Sequence, residues 1–293
     1  MDKKELQDRI VAAVRAAQAK NPLVPSITNN VTINLVANTQ LAVGGSAAMV
    51  YLPDEGVGMA DIGDAMYINM GTLLPVHAES MLRTAAELAA KHKPWVLDPV
   101  GIGVGAERRI ILAELFHTPP TIVRGNASEL IALADLWGVE NLTADSGVRG
   151  VDSTDSITAA LRPAMAVAKA IKGVVAVSGA CDLVTDGSLV AIAKGGSELF
   201  TRITGAGCSL GGVTAVYAAV ADAFTAALTA VQMYNHAGAA AAAKAAGPGS
   251  FEYMFRDELY QADAEAVAQS EFALFSDADP AQLASQIDTY TGC

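Results

Sequence analysis

The chain has 293 residues, of which 17% are charged and 52% are hydrophobic, and this balance excludes an intrinsically disordered protein. Its 19 basic and 31 acidic residues give a net charge of −12, a field that disfavours binding to nucleic acid or to an anionic membrane surface. No segment reaches about 18 consecutive strongly apolar residues, so we expect no membrane span.

The N-terminal residues have a charged, amphipathic pattern that predicts a helix over residues 4–19, ending before Pro22. This pattern is unlike that of a signal peptide. The three cysteines (Cys181, Cys208 and Cys293) are odd in number and far apart, which argues against a disulfide framework. We therefore expect a cytoplasmic protein.

Short apolar runs then alternate with helical patterns. The runs predict strands over residues 47–52, 65–70, 95–97, 121–123 and 174–177. Helices are predicted over residues 32–42, 76–91, 107–116, 127–137 and 156–171. Repeated strand–helix units of this spacing indicate an α/β fold, with a mostly parallel sheet and helices on both faces.

The pattern changes after residue 181. Turn signals at Asp186-Gly187 and Gly195-Gly196 separate apolar runs over 182–185, 189–193 and 198–203, so we expect antiparallel strands at one edge of the sheet. Ala-rich helices are predicted over residues 208–220, 222–246 and 251–269. No linker or change of composition divides the chain, and a single domain over residues 1–293 is the expectation.

Polar loops follow the predicted strands at the edge where open parallel sheets bind ligands. These loops read Asn69-Met70-Gly71-Thr72, Asp98-Pro99-Val100-Gly101, Arg124-Gly125-Asn126 and Ser178-Gly179. Together they offer backbone amides, a carboxylate and a guanidinium, so this edge is a candidate site for a polyanion.

A glycine-rich turn at residues 204–208 follows the last predicted antiparallel strand and opens a helix. Unpaired amides at a helix N-terminus bind phosphate, and Gly205 and Gly207 would let it approach the backbone closely. Cys208, in the first helical turn, is where a thiolate is most easily stabilised. A simple turn and an inert, packed cysteine are the alternatives, and the two glycines favour anion binding.

Two acidic residues lie near these loops. Asp98 closes a strand and Glu129 opens a helix; each alone is better explained as a turn cap or as a first-turn acid. Together with a phosphate turn they offer the oxygen ligands that Mg²⁺ prefers. Arg124 either donates to phosphate oxygens or is an exposed loop charge.

A loop over residues 101–106 formally fits the pattern of dinucleotide-binding proteins, G-x-G-x-x-G/A. The acid expected about 20 residues later is missing, although Arg124 stands near that position and suits a 2′-phosphate. The pattern leaves an NADP-dependent oxidoreductase open. A Walker-type phosphate loop is absent from the sequence, which excludes an ordinary NTPase of that class.

From about residue 22 to 255 the chain resembles the hydroxyethylthiazole kinases. The motifs that carry the resemblance follow in the family's order: residues 26–31 (Ser-Ile-Thr-Asn-Asn-Val), 69–72, 98–101, 124–129, 150–153 (Gly-Val-Asp-Ser), 182–187, 204–208 and 247–251 (Gly-Pro-Gly-Ser-Phe). The resemblance implies a ribokinase-like fold and transfer of phosphate from ATP, with Mg²⁺, to 4-methyl-5-(2-hydroxyethyl)thiazole in thiamine salvage. It also implies a homotrimer with sites at subunit interfaces.

The family's functional residues match positions of this chain. The resemblance implies that the substrate is bound by Asn29, Val31, Met49, Gly71 and Gly205. It implies that ATP is contacted by Arg124, Ser178 and the turn of Gly205, Ala206 and Gly207. Asp98 and Glu129 would serve the metal, directly or through water, and Cys208 would accept the hydroxyl proton where other ribokinase-like kinases have Asp.

The chain departs from the family pattern at Ala47, where Pro is frequent, and at Ala180-Cys181, where Glu-Val is frequent. Both departures bear on substrate or nucleotide preference. A ribokinase-like kinase of another heterocyclic alcohol, the oxidoreductase and a nucleotide-binding protein without catalysis remain as alternatives.

Overall fold

A computed structural model describes residues 2–139, 156–276 and 280–291. Within these ranges the strands are β1 (Leu23–Ile27), β2 (Ser46–Met49), β3 (Met66–Asn69), β4 (Trp95–Asp98), β5 (Ile122–Asn126), β6 (Val174–Ser178), β7 (Asp182–Thr185), β8 (Leu189–Ala193) and β9 (Phe272–Ser276). The helices are α1 (Lys3–Lys20), α2 (Ile33–Ala42), α3 (Pro53–Ile62), α4 (Pro75–Ala90), α5 (Ala106–Leu115), α6 (Ala127–Leu136), α7 (Ile157–Ile171), α8 (Ala206–Ala218), α9 (Ala223–Ala242), α10 (Pro248–Gln261), α11 (Ala264–Ala268) and α12 (Pro280–Thr291).

The strands form one sheet in the order β2-β1-β3-β4-β5-β6-β7-β8-β9. The strands from β1 to β6 pair in parallel, whereas β7, β8 and β9 pair antiparallel at one end. This confirms the predicted sheet. Because β1 lies between β2 and β3, the strand order reverses there, which opens a crevice beyond the carboxyl ends of the strands.

Side chains of the central strands alternate between two apolar layers. In β3, Tyr67 packs with one layer, and Met66 and Ile68 pack with the other. The first layer is formed by α1, α2 and α8–α11, and the second by α3–α7 and α12. Helices therefore cover both faces, as the sequence predicts.

The prediction of an antiparallel strand over residues 198–203 is wrong, because a 3-10 helix (Glu198–Arg202) occupies this segment. The Ser197 hydroxyl accepts a hydrogen bond from the Leu199 amide at 3.1 Å, and the Gly196 amide donates to the Asn235 carbonyl at 3.1 Å. The Gly195-Gly196 turn is thus hydrogen-bonded to α9 and does not close a hairpin. The third antiparallel strand is β9, and the turn of residues 204–208 follows the 3-10 helix.

Three further elements were not predicted: β1, α3 and α12. Strand β1 was not predicted because it contains Pro25, and proline is normally excluded from a central strand. The helix predicted over residues 251–269 is divided into α10 and α11, because Ala262 is extended at ψ 122° and Asp263 caps the second helix. Residues 150–153 and Cys293 lie outside the described residues. In the described part of the chain, no helix has the length and apolar character that a bilayer crossing needs.

Candidate active site

Polar side chains from five parallel strands meet at the carboxyl edge of the sheet. They are Asn29 after β1, Asn69 at the end of β3, Asp98 at the end of β4, Arg124 in β5, Ser178 at the end of β6 and, facing them, Cys208 in the first turn of α8. Since parallel strands all end at one edge, residues distant in sequence come together there. The motifs predicted for this edge therefore form one site.

Asp98 lies at the centre of this network and is fully buried. Its Oδ2 atom accepts hydrogen bonds from the Tyr67 hydroxyl at 2.9 Å, from the Asn69 amide at 3.1 Å and from Arg124 Nη1 at 3.3 Å. Its Oδ1 atom has no hydrogen-bond partner among the described residues. Burial raises the pKa of Asp98, and the Arg124 charge opposes that shift.

Arg124 is also buried, with 6% of its surface exposed, so it is not the exposed loop charge that the sequence left open. Besides its ion pair with Asp98, its Nη2 atom donates to the Ser178 hydroxyl at 2.8 Å. The guanidinium lies directly against the backbone of Gly207, where a Cβ atom would come within 2.7 Å of Nη1. Arg124 thus links Asp98, Ser178 and the glycine turn.

Asn69 joins the acidic centre to the opposite side of the site. Its Oδ1 atom accepts from Asn29 Nδ2 and from the Gly71 amide, both at 2.9 Å, while its Nδ2 atom donates to Tyr67 and Asp98. Asn29 Nδ2 also lies 3.5 Å from Cys208 Sγ. The network is therefore continuous from the cysteine to the arginine.

Burial, assisted by the charge of Asp98, raises the pKa of the Cys208 thiol. The sequence suggested that a thiolate is stabilised at the start of α8, whereas burial of the thiol favours its neutral form. Cys208 is therefore mostly a thiol at neutral pH.

Glu129 has the capping role that the sequence offered as the alternative to a metal ligand. It completes a capping box at the start of α6, where its Oε2 atom accepts from the Asn126 amide at 2.9 Å. Its Oε1 atom accepts from the Gly101 amide at 3.3 Å. Burial, together with electrostatic repulsion from the Asp98 carboxylate, raises the pKa of Glu129 to about 7.

In the turn of residues 204–208, Gly205 is the residue that precedes α8, and it has a φ of 93°, in the left-handed region. A Cβ atom at Gly205 would lie 2.8 Å from Thr32, so the backbone of this turn packs against the start of α2. The amides that follow belong to the first turn of α8, where backbone N–H groups have no partner within the helix. The structure brings Gly207 against Arg124, and Gly205 and Ala206 precede it in the same turn.

The other residues expected at the substrate lie on the β2 side of the network. Gly71 is close to both asparagines, since a Cβ atom there would lie 3.0 Å from Asn29 Nδ2 and from Asn69 Oδ1. Met49 ends β2 and is half-buried, whereas Val31 is 63% exposed. Asn29 and Gly71 thus belong to the network, and the Val31 amide joins it by donating to Asn29 Oδ1 at 3.1 Å. Met49 lies beside the network, in the strand that pairs with β1.

Sequence reasoning missed Tyr67 and gave Asn69 no role. The two residues are at positions i and i+2 of β3 and so share a face of the sheet. The signal for Asn69 is its position at a strand end, whereas the hydroxyl of Tyr67 is hidden inside an apolar run.

The loop over residues 101–106 does not form a dinucleotide site. The Gly101 amide donates to Glu129, and Arg108 bonds to the carbonyl groups of Met70 and Val104 at 2.9 and 2.6 Å. Arg124, the expected contact of a 2′-phosphate, is instead paired with Asp98. The geometry therefore does not support the oxidoreductase.

A cavity of about 210 Å³ opens beside Ser178. It is lined by Ala127, Ser156, Ile157, Thr158, Ser178, Gly179, Ala180, Cys181, Asp288 and Thr291. The departure at Ala180-Cys181 therefore lies on the wall of this cavity, next to the hydroxyl that Arg124 contacts.

Comparison with known proteins agrees with this geometry. The model of the hydroxyethylthiazole kinase family matches residues 14–265. The hydroxyethylthiazole kinase of Bifidobacterium longum strain DJO10A is 47% identical over 284 residues, covering 91% of this chain and 90% of the relative.

Two solved structures are similar in fold to this chain. The hydroxyethylthiazole kinase protein of Pyrococcus horikoshii OT3 superposes with a TM-score of 0.82 at 30% identity, covering 91% of this chain and 99% of that one. A ribokinase-like superfamily protein of Enterococcus faecalis V583 shares the fold alone, with a TM-score of 0.57 at 12% identity over 89% of this chain and 95% of that one. The fold is therefore ribokinase-like.

Proposed function

The chain belongs to the hydroxyethylthiazole kinase family and is an ATP-dependent kinase, and we propose that its acceptor is the hydroxyl of 4-methyl-5-(2-hydroxyethyl)thiazole, in thiamine salvage. One observation carries the proposal: Asp98, Arg124 and the turn of residues 204–208 are joined in a single contact network. Phosphoryl transfer needs positioning and neutralisation of charge, and amides, a guanidinium and a carboxylate supply both.

We assign the acceptor side to Asn29, Val31, Met49 and Gly71, with Gly205 next to the reacting hydroxyl. Asn29 and Gly71 are fixed by Asn69, whereas the exposed Val31 and the half-buried Met49 leave the apolar side of the pocket open in one chain. A second copy would cover this side and exclude water from the thiazole ring. The open apolar side supports a site at a subunit interface, and the homotrimer itself is proposed from the family resemblance.

The nucleotide side is assigned to Arg124 and Ser178, together with the amides of Gly205, Ala206 and Gly207. These amides lie at the positive end of the α8 dipole, and Gly205 and Gly207 leave the backbone accessible to phosphate oxygens. The cavity beside Ser178 is proposed to hold the nucleoside half of ATP. The local positive groups would thus bind a polyanion in spite of the net charge of −12.

We propose that Asp98 and Glu129 hold Mg²⁺ with ATP, directly or through water. The residues fit such an ion, because Oδ1 of Asp98 is buried without a partner and the two carboxyl groups repel each other. The described residues contain no cluster of three His, Cys, Asp or Glu ligands, which agrees with an ion that binds few carboxylates and completes its shell with phosphates and water. When bound, Mg²⁺ would neutralise charge on the transferring phosphoryl group.

Cys208 is assigned as the base that accepts the proton of the acceptor hydroxyl. Only its thiolate form can do so, and the raised pKa makes that form scarce at neutral pH. We therefore expect slow turnover that rises with pH, with the amides, Arg124 and the metal carrying most of the transition-state stabilisation.

We also propose that the chain is a single kinase domain in the cytoplasm. All described strands belong to one sheet, and the cysteine pattern suits a reducing compartment. Limited proteolysis tests the single domain: a stable fragment of about half the chain would contradict it. Detection of the protein in a secreted or membrane fraction would contradict the location.

The activity is tested by incubating the protein with hydroxyethylthiazole, ATP and Mg²⁺ and measuring ADP together with thiazole phosphate. We expect ADP release that depends on the thiazole and is abolished by EDTA. A hydroxymethylpyrimidine in place of the thiazole tests the alternative acceptor. Absence of thiazole-dependent ADP would refute the assigned acceptor, and light scattering at other than three times the 30.1 kDa chain mass would refute the trimer.

A further inference from the structure

The carboxylate of Asp98 is held in a strongly asymmetric way. All three of its donors converge on Oδ2, while Oδ1 is buried without a partner among the described residues. A carboxylate held by one oxygen has a fixed orientation, and its second oxygen is free to serve a cation. The residue that fixes this orientation therefore controls how the free oxygen is presented.

Tyr67 is the donor best suited to that task. Its hydroxyl makes the shortest of the three contacts with Oδ2, at 2.9 Å. The Nδ2 group of Asn69 donates to the Tyr67 hydroxyl as well as to Asp98, so it does not serve Asp98 alone. Arg124 Nη1 lies 3.3 Å from Oδ2, and its guanidinium faces the glycine turn, where phosphate is proposed to bind. A bound nucleotide would attract Arg124 toward its phosphates and so weaken the contact of Arg124 with Asp98, whereas the contact of Tyr67 with Asp98 would not compete with the nucleotide.

The ring of Tyr67 is itself held by α8. A Cβ atom at Gly211 would lie 2.7 Å from Cζ of the ring and 2.8 Å from its hydroxyl oxygen, so the helix backbone lies directly on the phenol. Residue 67 is fully buried. The phenol therefore fills the space between β3 and α8, the helix that the turn of residues 204–208 opens, and it has little freedom to turn away.

We propose that Tyr67 is a positioning residue, whose hydroxyl holds Oδ2 of Asp98 so that Oδ1 faces the nucleotide-bound metal ion. The inference rests on the proposed metal role of Asp98 and adds a residue that touches neither substrate nor metal. It predicts a specific defect: loss of the hydroxyl weakens binding of the metal–nucleotide complex and leaves binding of the metal-free nucleotide unchanged.

The test compares Tyr67→Phe with Tyr217→Phe by calorimetric titration of ADP with and without Mg²⁺. Both changes remove one buried phenol hydroxyl and keep the ring, but the Tyr217 hydroxyl has no hydrogen-bond partner among the described residues and lies outside the network. For Tyr67→Phe we expect Mg·ADP to bind about tenfold more weakly, the effect of losing one hydrogen bond to a charged group. Tyr217→Phe should bind Mg·ADP as the unchanged protein does.

A steady-state titration with Mg²⁺ adds a second readout. In Tyr67→Phe the Mg²⁺ concentration at half-maximal rate should rise by a similar factor, and saturating Mg²⁺ should restore most of kcat. Equal weakening of ADP with and without Mg²⁺ would overturn the inference, as would unchanged Mg·ADP binding in a protein whose ADP affinity depends on Mg²⁺. If ADP affinity does not depend on Mg²⁺ in the unchanged protein, the proposed metal role itself is refuted and the inference with it.

Discussion

Replacement of Gly207 by alanine tests whether the glycine turn and Arg124 work as one unit. The new Cβ atom would lie 2.7 Å from Arg124 Nη1 and 2.8 Å from Nη2, against an ordinary contact of at least 3.4 Å. The guanidinium must therefore move by about 0.7 Å. A movement of that size is enough to take the 3.3 Å contact with Asp98 beyond hydrogen-bond distance, and it also disturbs the 2.8 Å contact with Ser178.

The expected loss follows from these contacts. A hydrogen bond to a charged group contributes about 1.5–3 kcal/mol, so kcat/KM should fall roughly 10- to 100-fold. Stability should fall by no more than these contacts contribute, because alanine favours the helix by up to about 1 kcal/mol and so offsets part of the loss. The measurements are steady-state kinetics with ATP varied and a denaturant titration of the same preparation.

Gly212→Ala is the matched control in the same helix. Its Cβ atom would lie 2.9 Å from Val36 Cγ1 in the apolar layer, so this variant should lose stability and keep kcat/KM within about twofold. The reasoning is refuted if Gly207→Ala keeps full kcat/KM, or if both variants lose activity in proportion to stability.

Three further changes test other parts of the site. Cys208→Ala should lower kcat by no more than about tenfold at neutral pH, since the raised pKa leaves little thiolate, and should remove the rise of kcat toward alkaline pH; a loss of more than about 100-fold would contradict this. Glu129→Gln should lower kcat, and its stability relative to the unchanged protein should increase between pH 5 and pH 8 by up to roughly 3 kcal/mol. The reason is that the pKa of Glu129 is about 7 in the folded protein against its usual 4.5 in the unfolded chain, so its ionisation at higher pH destabilises the folded state. A stability difference between the two proteins that is the same at both pH values, measured by denaturant titration, would contradict this. Gly205→Ala should cost at least about 1–2 kcal/mol in a denaturant titration because of its positive φ, whereas Gly249→Ala, with open space around it, should cost nothing measurable.

The sequence predicted the site residues better than the contacts among them. Each strand end carries a short polar motif, and the rule that such ends share one edge was enough to bring Asp98, Arg124 and Ser178 together. Burial was not predictable: Arg124 reads as a loop charge, and only its neighbours on other strands show that it is buried and paired. Tyr67 was missed because its hydroxyl acts from within an apolar strand.

The errors in the fold also come from distant partners. Residues 198–203 have the composition of a strand, but the Gly196 amide bonds to Asn235 in α9 and turns the chain into a 3-10 helix. Strand β9 pairs with β8 across four intervening α-helices and the 3-10 helix, a partner that no local pattern indicates. Local patterns thus predict elements that pair with sequence neighbours and miss those that do not.

The contact between Asn29 and Cys208 joins residues 179 positions apart, and it exists only when the intervening parallel strands have docked beside each other. Closing loops of that length comes late in folding, since the entropy is lost before the contacts form. Helical signal should therefore return before catalysis during refolding. The return of enzyme activity would then report the last stage of folding, and a chain with its full helix content could still be entirely inactive.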